Sequence, residues 1–277
     1  MGTQSSRIQA LCEEFDERGF LVLPSALSAQ QTAIMSRAFD GFMQEHPEEW
    51  VHLSSANSTA ANVLPTVDDF DLAIENPVTL DILRALIGED VTFEEFDMML
   101  RRPTDQLRDL KGWHRDLTRD YGRRMEIDAV AVVYYLTDVS AKEHCFSIIP
   151  ETHNRLVDLR PEQVTPGMEF DVLGLAGTGL IFHARCLHAG KLKPHSSLRK
   201  TLHIYYSRAG KPRTSEWSDI PPRLYEKIDP SLPLRLYSKW NVKEVFEGTG
   251  KKPRDLDPAL SSAEMIREVQ RRANQPM

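Results

Sequence analysis

The chain has 277 residues with a formal net charge of -7, of which 41% are hydrophobic and 27% charged, so it can bury a sizeable core and lacks the composition of a disordered chain. The excess of acidic side chains argues against nucleic acid as a partner. No stretch has the apolar length of a membrane span, and the first residues lack the pattern of a signal peptide. We therefore expect a cytoplasmic protein without a membrane partner.

The three cysteines argue against two further classes of site. Cys12, Cys145 and Cys186 are widely spaced and form no C-x-x-C pair. This pattern predicts reduced thiols, and neither a disulfide framework nor a cysteine-based zinc site.

The sequence of the N-terminal part predicts a helix, a strand and a second helix. Apolar residues recur at helical spacing from Ser5 to Arg18, and Gly19 follows where a helix commonly ends. The apolar run 20–23 predicts a short strand. Ser28 can then cap a helix that continues towards His46.

Three elements follow before the centre of the chain. Residues 53–64 are small and polar, which predicts a loop that could close over a binding site. Residues 77–86 read as a helix ended by Gly88, and 91–100 alternate as a strand does.

The centre of the chain is rich in short β-branched and aromatic runs separated by turn residues. They are Ala129 to Leu136, Cys145 to Ile149, Gly179 to Phe182 and Thr201 to Tyr206. Such runs, without helices between them, predict a mainly β fold of the jelly-roll type with flanking helices. We expect one domain, with a helical preamble at 1–90, a β core at 91–207 and an extension at 208–277 that ends in a helix at 262–273.

A first candidate site is the H-x-D sequence of His114 and Asp116. Residues two apart on an extended chain project to the same side, so this pair can hold one metal ion. By itself the pair is weak evidence, since a histidine is more often structural.

A second candidate site is the run from Gly177 to Gly190, in which a short apolar strand leads to His183 and His188. Either histidine could complete a set with His114 and Asp116. Two histidines and one carboxylate on one face of an octahedral ion form the facial triad of non-haem Fe(II) oxygenases. The alternative is that both histidines only hydrogen-bond the end of the strand.

Arg199 follows on the next alternating strand. A guanidinium there matches the distal carboxylate of 2-oxoglutarate, because the two groups form a paired, charge-assisted contact. Taken singly, such an arginine is more often a surface ion-pair residue.

Together these motifs resemble the phytanoyl-CoA dioxygenase family of Fe(II)/2-oxoglutarate oxygenases. The similarity includes H-x-D, then G-x-G-x-x-x-F-H-x-x-x-x-H-x-G, then Ser-x-x-Arg, the turn at 147–153 and the opening at 19–24, and it extends over about residues 7–207. Glu151, where the family turn has Gly, and the pair at 143–144, where it has Asn-Gly, depart from the pattern.

The resemblance implies a double-stranded β-helix, a cupin-like jelly roll. It also implies that His114, Asp116 and His188 bind Fe(II), that His183 does not, and that Arg199 anchors 2-oxoglutarate. The expected reaction consumes O2 and hydroxylates a small molecule with release of succinate and CO2.

The outcome of the reaction stays open. Asp116 stands where related halogenases have Ala or Gly, which favours hydroxylation over chlorination. Desaturation, epoxidation or rearrangement remain alternatives, as do a non-catalytic jelly roll with a vestigial site and, with less support, a zinc hydrolase.

The substrate and its pocket are less defined. Seven arginines near the H-x-D could indicate an anionic substrate, although a solvated basic face is the simpler interpretation. They are Arg101, Arg102, Arg108, Arg115, Arg119, Arg123 and Arg124. Met98, Leu100 and Tyr134 or Tyr135 could line the cavity, and we expect a monomer or homodimer.

Overall fold

The protein folds into two antiparallel β-sheets with helices on one side, as seen in a computed structural model that describes residues 2–105, 112–116, 129–154, 157, 159–194, 196–209, 220–227, 229–233 and 235–237. The helices of this part are α1 (Gly2–Arg18), α2 (Ala29–Glu45), α3 (Asp71–Ile74), α4 (Pro77–Ile87) and α5 (Pro222–Tyr225). The strands are β1 (Phe20–Leu23), β2 (Val51–Ser54), β3 (Asn57–Ala60), β4 (Val91–Arg101), β5 (Ala129–Tyr135), β6 (Cys145–Ile148), β7 (Phe170–Val172), β8 (Gly179–His183), β9 (His188–Lys191) and β10 (Arg199–Arg208).

The N-terminal elements follow the sequence prediction. Gly19 adopts φ +81° after α1, and its amide donates to the Phe15 carbonyl oxygen. Glycine reaches this conformation without a Cβ penalty. The Ser28 hydroxyl accepts a hydrogen bond from the Gln31 amide in a reciprocal capping box, which starts α2.

The prediction of a loop over the whole of 53–64 is wrong, because residues 53–54 and 57–60 belong to strands. Strands β2 and β3 form a hairpin, and β3 pairs with β4 at the edge of the large sheet. The Thr59 hydroxyl donates to the Met98 carbonyl oxygen at 3.0 Å, and Arg102 donates to the Ser58 hydroxyl at 2.6 Å. Pairing with a long neighbouring strand outweighs the weak β propensity of these small polar residues. The segment therefore extends the sheet and does not cover a site as a free loop.

The larger sheet has seven strands in the order β1-β8-β5-β10-β4-β3-β2, and its two faces differ in chemistry. On β10, Leu202, Ile204 and Tyr206 pack with α2 and α4 residues into the main apolar core. The alternate residues at 199, 201, 203 and 205 point to the opposite face. One face of the sheet is thus covered by helices, while the other face carries polar groups along β10.

The smaller sheet, β7-β6-β9, closes over that second face. A second apolar cluster lies between the sheets and combines Phe20, Val133 and Phe182 of the large sheet with Phe146 and Val172 of the small one. Two facing antiparallel sheets with helices outside form the double-stranded β-helix architecture that the sequence predicted.

The predicted pocket residues divide between the two faces. Met98, Leu100 and Tyr134 belong to the helix-side core, so their expected place at the cavity is wrong. The Tyr134 hydroxyl lies 2.7 Å from the Thr79 hydroxyl of α4. Tyr135 is on the opposite face, in the cluster between the sheets. Periodicity identified these positions as apolar strand residues but did not fix which alternate set faces inward.

The described part of the C-terminal extension packs on the same core. Leu224, Leu236 and Tyr237 are buried in the helix-side cluster. The backbone amide of Phe93 donates to the Leu236 carbonyl oxygen at 2.7 Å. The helix predicted at 262–273 lies outside the described residues. In the described ranges no helix has both the length and the apolar character that crossing a membrane requires.

Replacing Asn76 by Ala should destabilise the protein markedly. Asn76 is 2% exposed; its side-chain oxygen accepts from the Thr79 amide to cap α4, and its amide donates to the Ala26 carbonyl oxygen, both at 3.0 Å. Losing a helix cap and leaving a buried carbonyl unpaired should cost about 2–4 kcal/mol in the free energy of unfolding, measured by urea denaturation. Ser28→Ala, which removes an exposed cap, is the control and should cost about 1 kcal/mol. Equal losses in the two variants would contradict this account.

Candidate metal centre

The centre is built on a pair of backbone hydrogen bonds between two distant parts of the chain. The His114 amide donates to the His188 carbonyl oxygen at 3.1 Å, and the His188 amide donates back to the His114 carbonyl oxygen at 3.0 Å. This isolated antiparallel bridge places the H-x-D segment beside the start of β9. The two imidazole rings consequently lie with their centroids 4.2 Å apart.

His114, Asp116 and His188 converge on one point. Their ligand atoms lie within 4.8 Å of one another. Asp116 Oδ1 is 3.5 Å from Nε2 of His114 and 3.4 Å from Nε2 of His188. The His188 side chain is 5% exposed and that of His114 56%, so the cluster is enclosed on one side and accessible on the other.

Both histidines have the tautomer that a metal ligand requires. Nδ1 of His114 lies 2.7 Å from the Gly112 carbonyl oxygen, and Nδ1 of His188 lies 3.0 Å from the Cys186 carbonyl oxygen. A carbonyl oxygen only accepts, so each Nδ1 carries the proton and each Nε2 presents a lone pair to the cluster. The surrounding backbone thus orients both rings for coordination.

The Asp116 carboxylate is held in its ionised form. Burial opposes this, but the pKa of Asp116 lies well below its usual range because His188 and His114 stabilise the anion. Conversely, burial opposes the charged form of His114, yet Asp116 raises the pKa of that imidazole above its ordinary value. Asp116 Oδ2 is buried and has no hydrogen-bond partner among the described residues. An anionic oxygen in this position is suited to a cation.

Apolar rings fix the deeper histidine. Phe146 stacks on His188 with ring centroids 5.1 Å apart, and the Phe182 ring lies 4.8 Å from it. Because these rings occupy both the β6 and β8 sides, His188 has little freedom to rotate away from the cluster.

His183 is not part of the cluster. Its Nδ1 accepts a hydrogen bond from the Arg185 amide at 3.1 Å, and its ring lies 5.7 Å from that of His153. Burial, with smaller contributions from His153 and Arg185, lowers the pKa of His183 to about 3. Of the two histidines that the sequence offered, the structure therefore brings only His188 to His114 and Asp116.

Arg199 opens β10 and is 3% exposed. It faces the interior between the sheets, directly opposite Arg101 in the β4–β10 pairing. Burial lowers the pKa of Arg199, although Tyr135 and Cys145 counteract this effect. Its Nε and Nη1 atoms have no acceptor in the described ranges. This is an unusual state for a buried guanidinium, because an unpaired buried charge is costly.

The other arginines near the H-x-D have different environments. Arg102 donates to Ser58, and Arg115 donates to the Thr152 and Leu159 carbonyl oxygens at 3.4 and 3.1 Å. Arginines 108, 119, 123 and 124 lie outside the described residues. An anionic substrate therefore stays a prediction.

Sequence reasoning missed the polar residues on the inner face of β4 and β10. Asp97 pairs with His203 across the strands, and Glu95 with Tyr205. Burial, followed by repulsion from Glu95 and Asp116, raises the pKa of Asp97 well above its ordinary value. The signal was present in the sequence, because Thr201, His203 and Tyr205 alternate with the apolar residues Leu202 and Ile204.

The residues present fit a facial-triad metal. Two imidazole nitrogens and one carboxylate oxygen suit Fe(II), and an orphaned buried oxygen on Asp116 shows that the donor set is incomplete by itself. The unpaired Arg199 fits a carboxylate ligand for the same reason.

Comparisons with known proteins identify the family of the sequence and structures of similar fold. The sequence model of the phytanoyl-CoA dioxygenase (PhyH) family matches residues 15–196. No curated protein sequence matches the chain.

Solved structures similar to this fold include SnoN, SnoK and HygX. SnoN, an α-ketoglutarate-dependent epimerase from nogalamycin biosynthesis, is 18% identical with a TM-score of 0.61, over 84% of this chain and 92% of that one. The carbocyclase SnoK from the same biosynthesis is 18% identical with a TM-score of 0.63, over 82% and 92%. HygX from Streptomyces hygroscopicus, with nickel and 2-oxoglutarate bound, is 16% identical with a TM-score of 0.58, over 72% and 86%.

The depressed pKa of His183 predicts acid sensitivity. Its folded-state pKa of about 3 lies below the ordinary value of about 6.5, so between these pH values the unfolded chain binds a proton that the folded chain does not. The free energy of unfolding should fall as pH decreases from about 6.5 towards 3, with His183 contributing up to ~1.4 kcal/mol per pH unit. His183→Gln keeps an acceptor for Arg185 and should flatten this slope in urea denaturation of metal-free protein. A variant curve parallel to the wild-type curve would refute the assignment.

Proposed function

The chain belongs to the phytanoyl-CoA dioxygenase family of Fe(II)- and 2-oxoglutarate-dependent oxygenases, and we propose that it hydroxylates a small-molecule substrate with release of succinate and CO2. The main support is the convergence of two Nε2 atoms and one carboxylate oxygen, from His114, His188 and Asp116, within 4.8 Å of one another. The family makes the protein an oxidoreductase, whereas the particular reaction and the residue roles are our proposal.

In this proposal His114, Asp116 and His188 hold the iron, and Arg199 holds the distal carboxylate of 2-oxoglutarate. Bound iron and 2-oxoglutarate together supply the oxidising power that such enzymes draw from O2. The protein supplies the geometry. Carbonyl oxygens of Gly112 and Cys186 keep both imidazoles in the coordinating tautomer, and the two histidines keep Asp116 ionised.

The expected position of the substrate follows from which side of the metal centre is enclosed. His188 is shielded by Phe146 and Phe182, whereas His114 has the most exposed side chain of the three. A substrate would approach from the side of His114, where a C–H bond can be brought next to the metal. The rings behind His188 exclude water from the rear of the site.

Hydroxylation is favoured because Asp116 occupies the third ligand position. In the halogenases that resemble this family, a small residue there leaves space for a halide. A carboxylate that is ionised and directed into the cluster fills that space.

A second outcome is supported by the similar folds. SnoN is described as an epimerase and SnoK as a carbocyclase, so proteins of similar fold are named for reactions other than hydroxylation. The same residues could therefore initiate hydrogen removal that ends in epimerisation, ring formation, desaturation or epoxidation.

Asp116→Ala should abolish substrate-stimulated succinate formation and lower bound iron to a small fraction of the wild-type amount. One of three protein ligands is lost, and with it the anion that balances the cation. Succinate is measured by chromatography and iron by atomic absorption after reconstitution without O2. His188→Ala should behave in the same way. His183→Gln is the matched control and should retain iron and turnover. Wild-type turnover in the Asp116 variant would sink the triad assignment.

Product analysis under isotopically labelled O2 separates hydroxylation from the outcomes that add no oxygen, and the NMR spectrum of a labelled product distinguishes an alcohol from an epoxide. If the protein is a hydroxylase, one labelled oxygen atom appears in the product for each succinate formed. A product without added oxygen, at the same ratio of succinate to consumed substrate, would favour epimerisation, cyclisation or desaturation. A compound screen that follows substrate-stimulated succinate release would provide the substrate for this test.

A further inference from the structure

A second buried arginine accompanies Arg199 in the interior between the sheets. Arg101 is the last residue of β4 and stands directly opposite Arg199 in the β4–β10 register. Directly opposed residues on one face of an antiparallel pair have Cβ atoms about 5 Å apart, so two guanidinium groups share this space. Like charges in such a pair repel each other.

Neither guanidinium is satisfied by the described protein. Nε and Nη1 of Arg101, like those of Arg199, are buried without an acceptor, and no ion pair joins either residue to a described carboxylate. Burial and then repulsion from Arg199 lower the pKa of Arg101 to about 9. Four buried N–H bearing atoms in one place are uncommon in a folded protein, where such donors normally have partners.

The guanidinium of Arg101 reaches the opposite sheet. A Cβ on Gly190 of β9 would lie 2.7 Å from Nη2 of Arg101, so the absence of a side chain at Gly190 makes room for this group. Arg101 therefore reaches across the interior from β4 to β9, close to the strand that carries His188.

Arg102, which follows the last residue of β4, has a different environment from Arg101. Its guanidinium donates to the Ser58 hydroxyl at 2.6 Å and its amide to the Ala56 carbonyl oxygen. Arg102 thus stabilises the β2–β3 hairpin, and its charge is already engaged. Among the described residues around this strand end, the buried unpaired donors belong to Arg101 and Arg199.

We propose that Arg101 is a second binding residue for the distal carboxylate of 2-oxoglutarate, so that Arg101 and Arg199 hold this group from two sides. This inference rests on the proposed function, which assigns Arg199 to the same carboxylate. An anion with two oxygens accepts several N–H groups at once and screens the two guanidiniums from each other. Arg101 would thereby contribute affinity for the cosubstrate and would discriminate against 2-oxo acids that lack the second carboxylate.

Binding measurements without turnover test this assignment. Protein loaded with Ni(II) is titrated with 2-oxoglutarate and, separately, with pyruvate, which keeps the 2-oxo acid group and lacks the distal carboxylate. Arg101→Gln should raise the Kd for 2-oxoglutarate at least ~10-fold, because a charge-assisted contact of this kind contributes a factor of this order. The Kd for pyruvate should not change. Arg102→Gln is the matched control and should bind both ligands as the wild type does.

The possible results separate the two proposals. If wild-type protein binds no 2-oxoglutarate, the proposed function itself fails. If the wild type binds and Arg101→Gln binds equally well, only the role of Arg101 is overturned. Equal weakening for pyruvate and 2-oxoglutarate would also overturn it, because Arg101 would then act through the metal cluster or the fold. Arg101→Lys, which keeps the charge and lacks the planar guanidinium, provides a second variant, and we expect a Kd for 2-oxoglutarate between those of wild type and Arg101→Gln.

Discussion

The pair of backbone hydrogen bonds between His114 and His188 is the contact on which the candidate site depends. Each residue donates its amide to the carbonyl oxygen of the other, so two segments far apart in sequence are fixed at one register. A shift by one residue would turn one imidazole to the other face. Because Asp116 follows His114 by two residues, the same bridge also sets the position of the carboxylate. The ligand set is therefore a consequence of strand pairing more than of side-chain attraction.

In the interior between the sheets, positively and negatively charged side chains lie at different positions along the β4–β10 pair. Arg101 and Arg199 mark one end of it, and Glu95 lies further along β4, near the opposite end of the pairing. This order is fixed by the same antiparallel register that forms the sheet. A ligand with an anionic end directed towards the arginines and a metal-binding end directed towards Asp116 matches the arrangement. 2-Oxoglutarate has this shape, with carboxylates at both ends of a short chain.

Most of the fold could be predicted from the sequence, and so could the three residues that meet in the candidate metal centre. Helices with clear caps, such as the one after Ser28, and apolar strands, such as 129–135, carry strong local signals. The hairpin at 51–60 had no such signal, because its small polar residues become strands only through pairing with β4. His188 was preferred over His183 through family resemblance, since spacing alone allowed both. His183 and His188 have different neighbours because the turn between β8 and β9 directs the two rings to different places, and hydrophobic periodicity does not predict the shape of a turn.

The role of Arg101 was hidden for a related reason. In sequence it is one of seven arginines around the H-x-D, and composition favours a solvated basic face for all of them. Register distinguishes Arg101 from its neighbour, because the pleat directs Arg101 to the interior and the guanidinium of Arg102 to Ser58. Two facing, unpaired arginines lower the stability of the ligand-free fold, and natural structures retain such groups mainly where a ligand compensates them. A methyl group at Gly190 would lie 2.7 Å from Nη2 of Arg101, so the end of that side chain would have to shift to accommodate it.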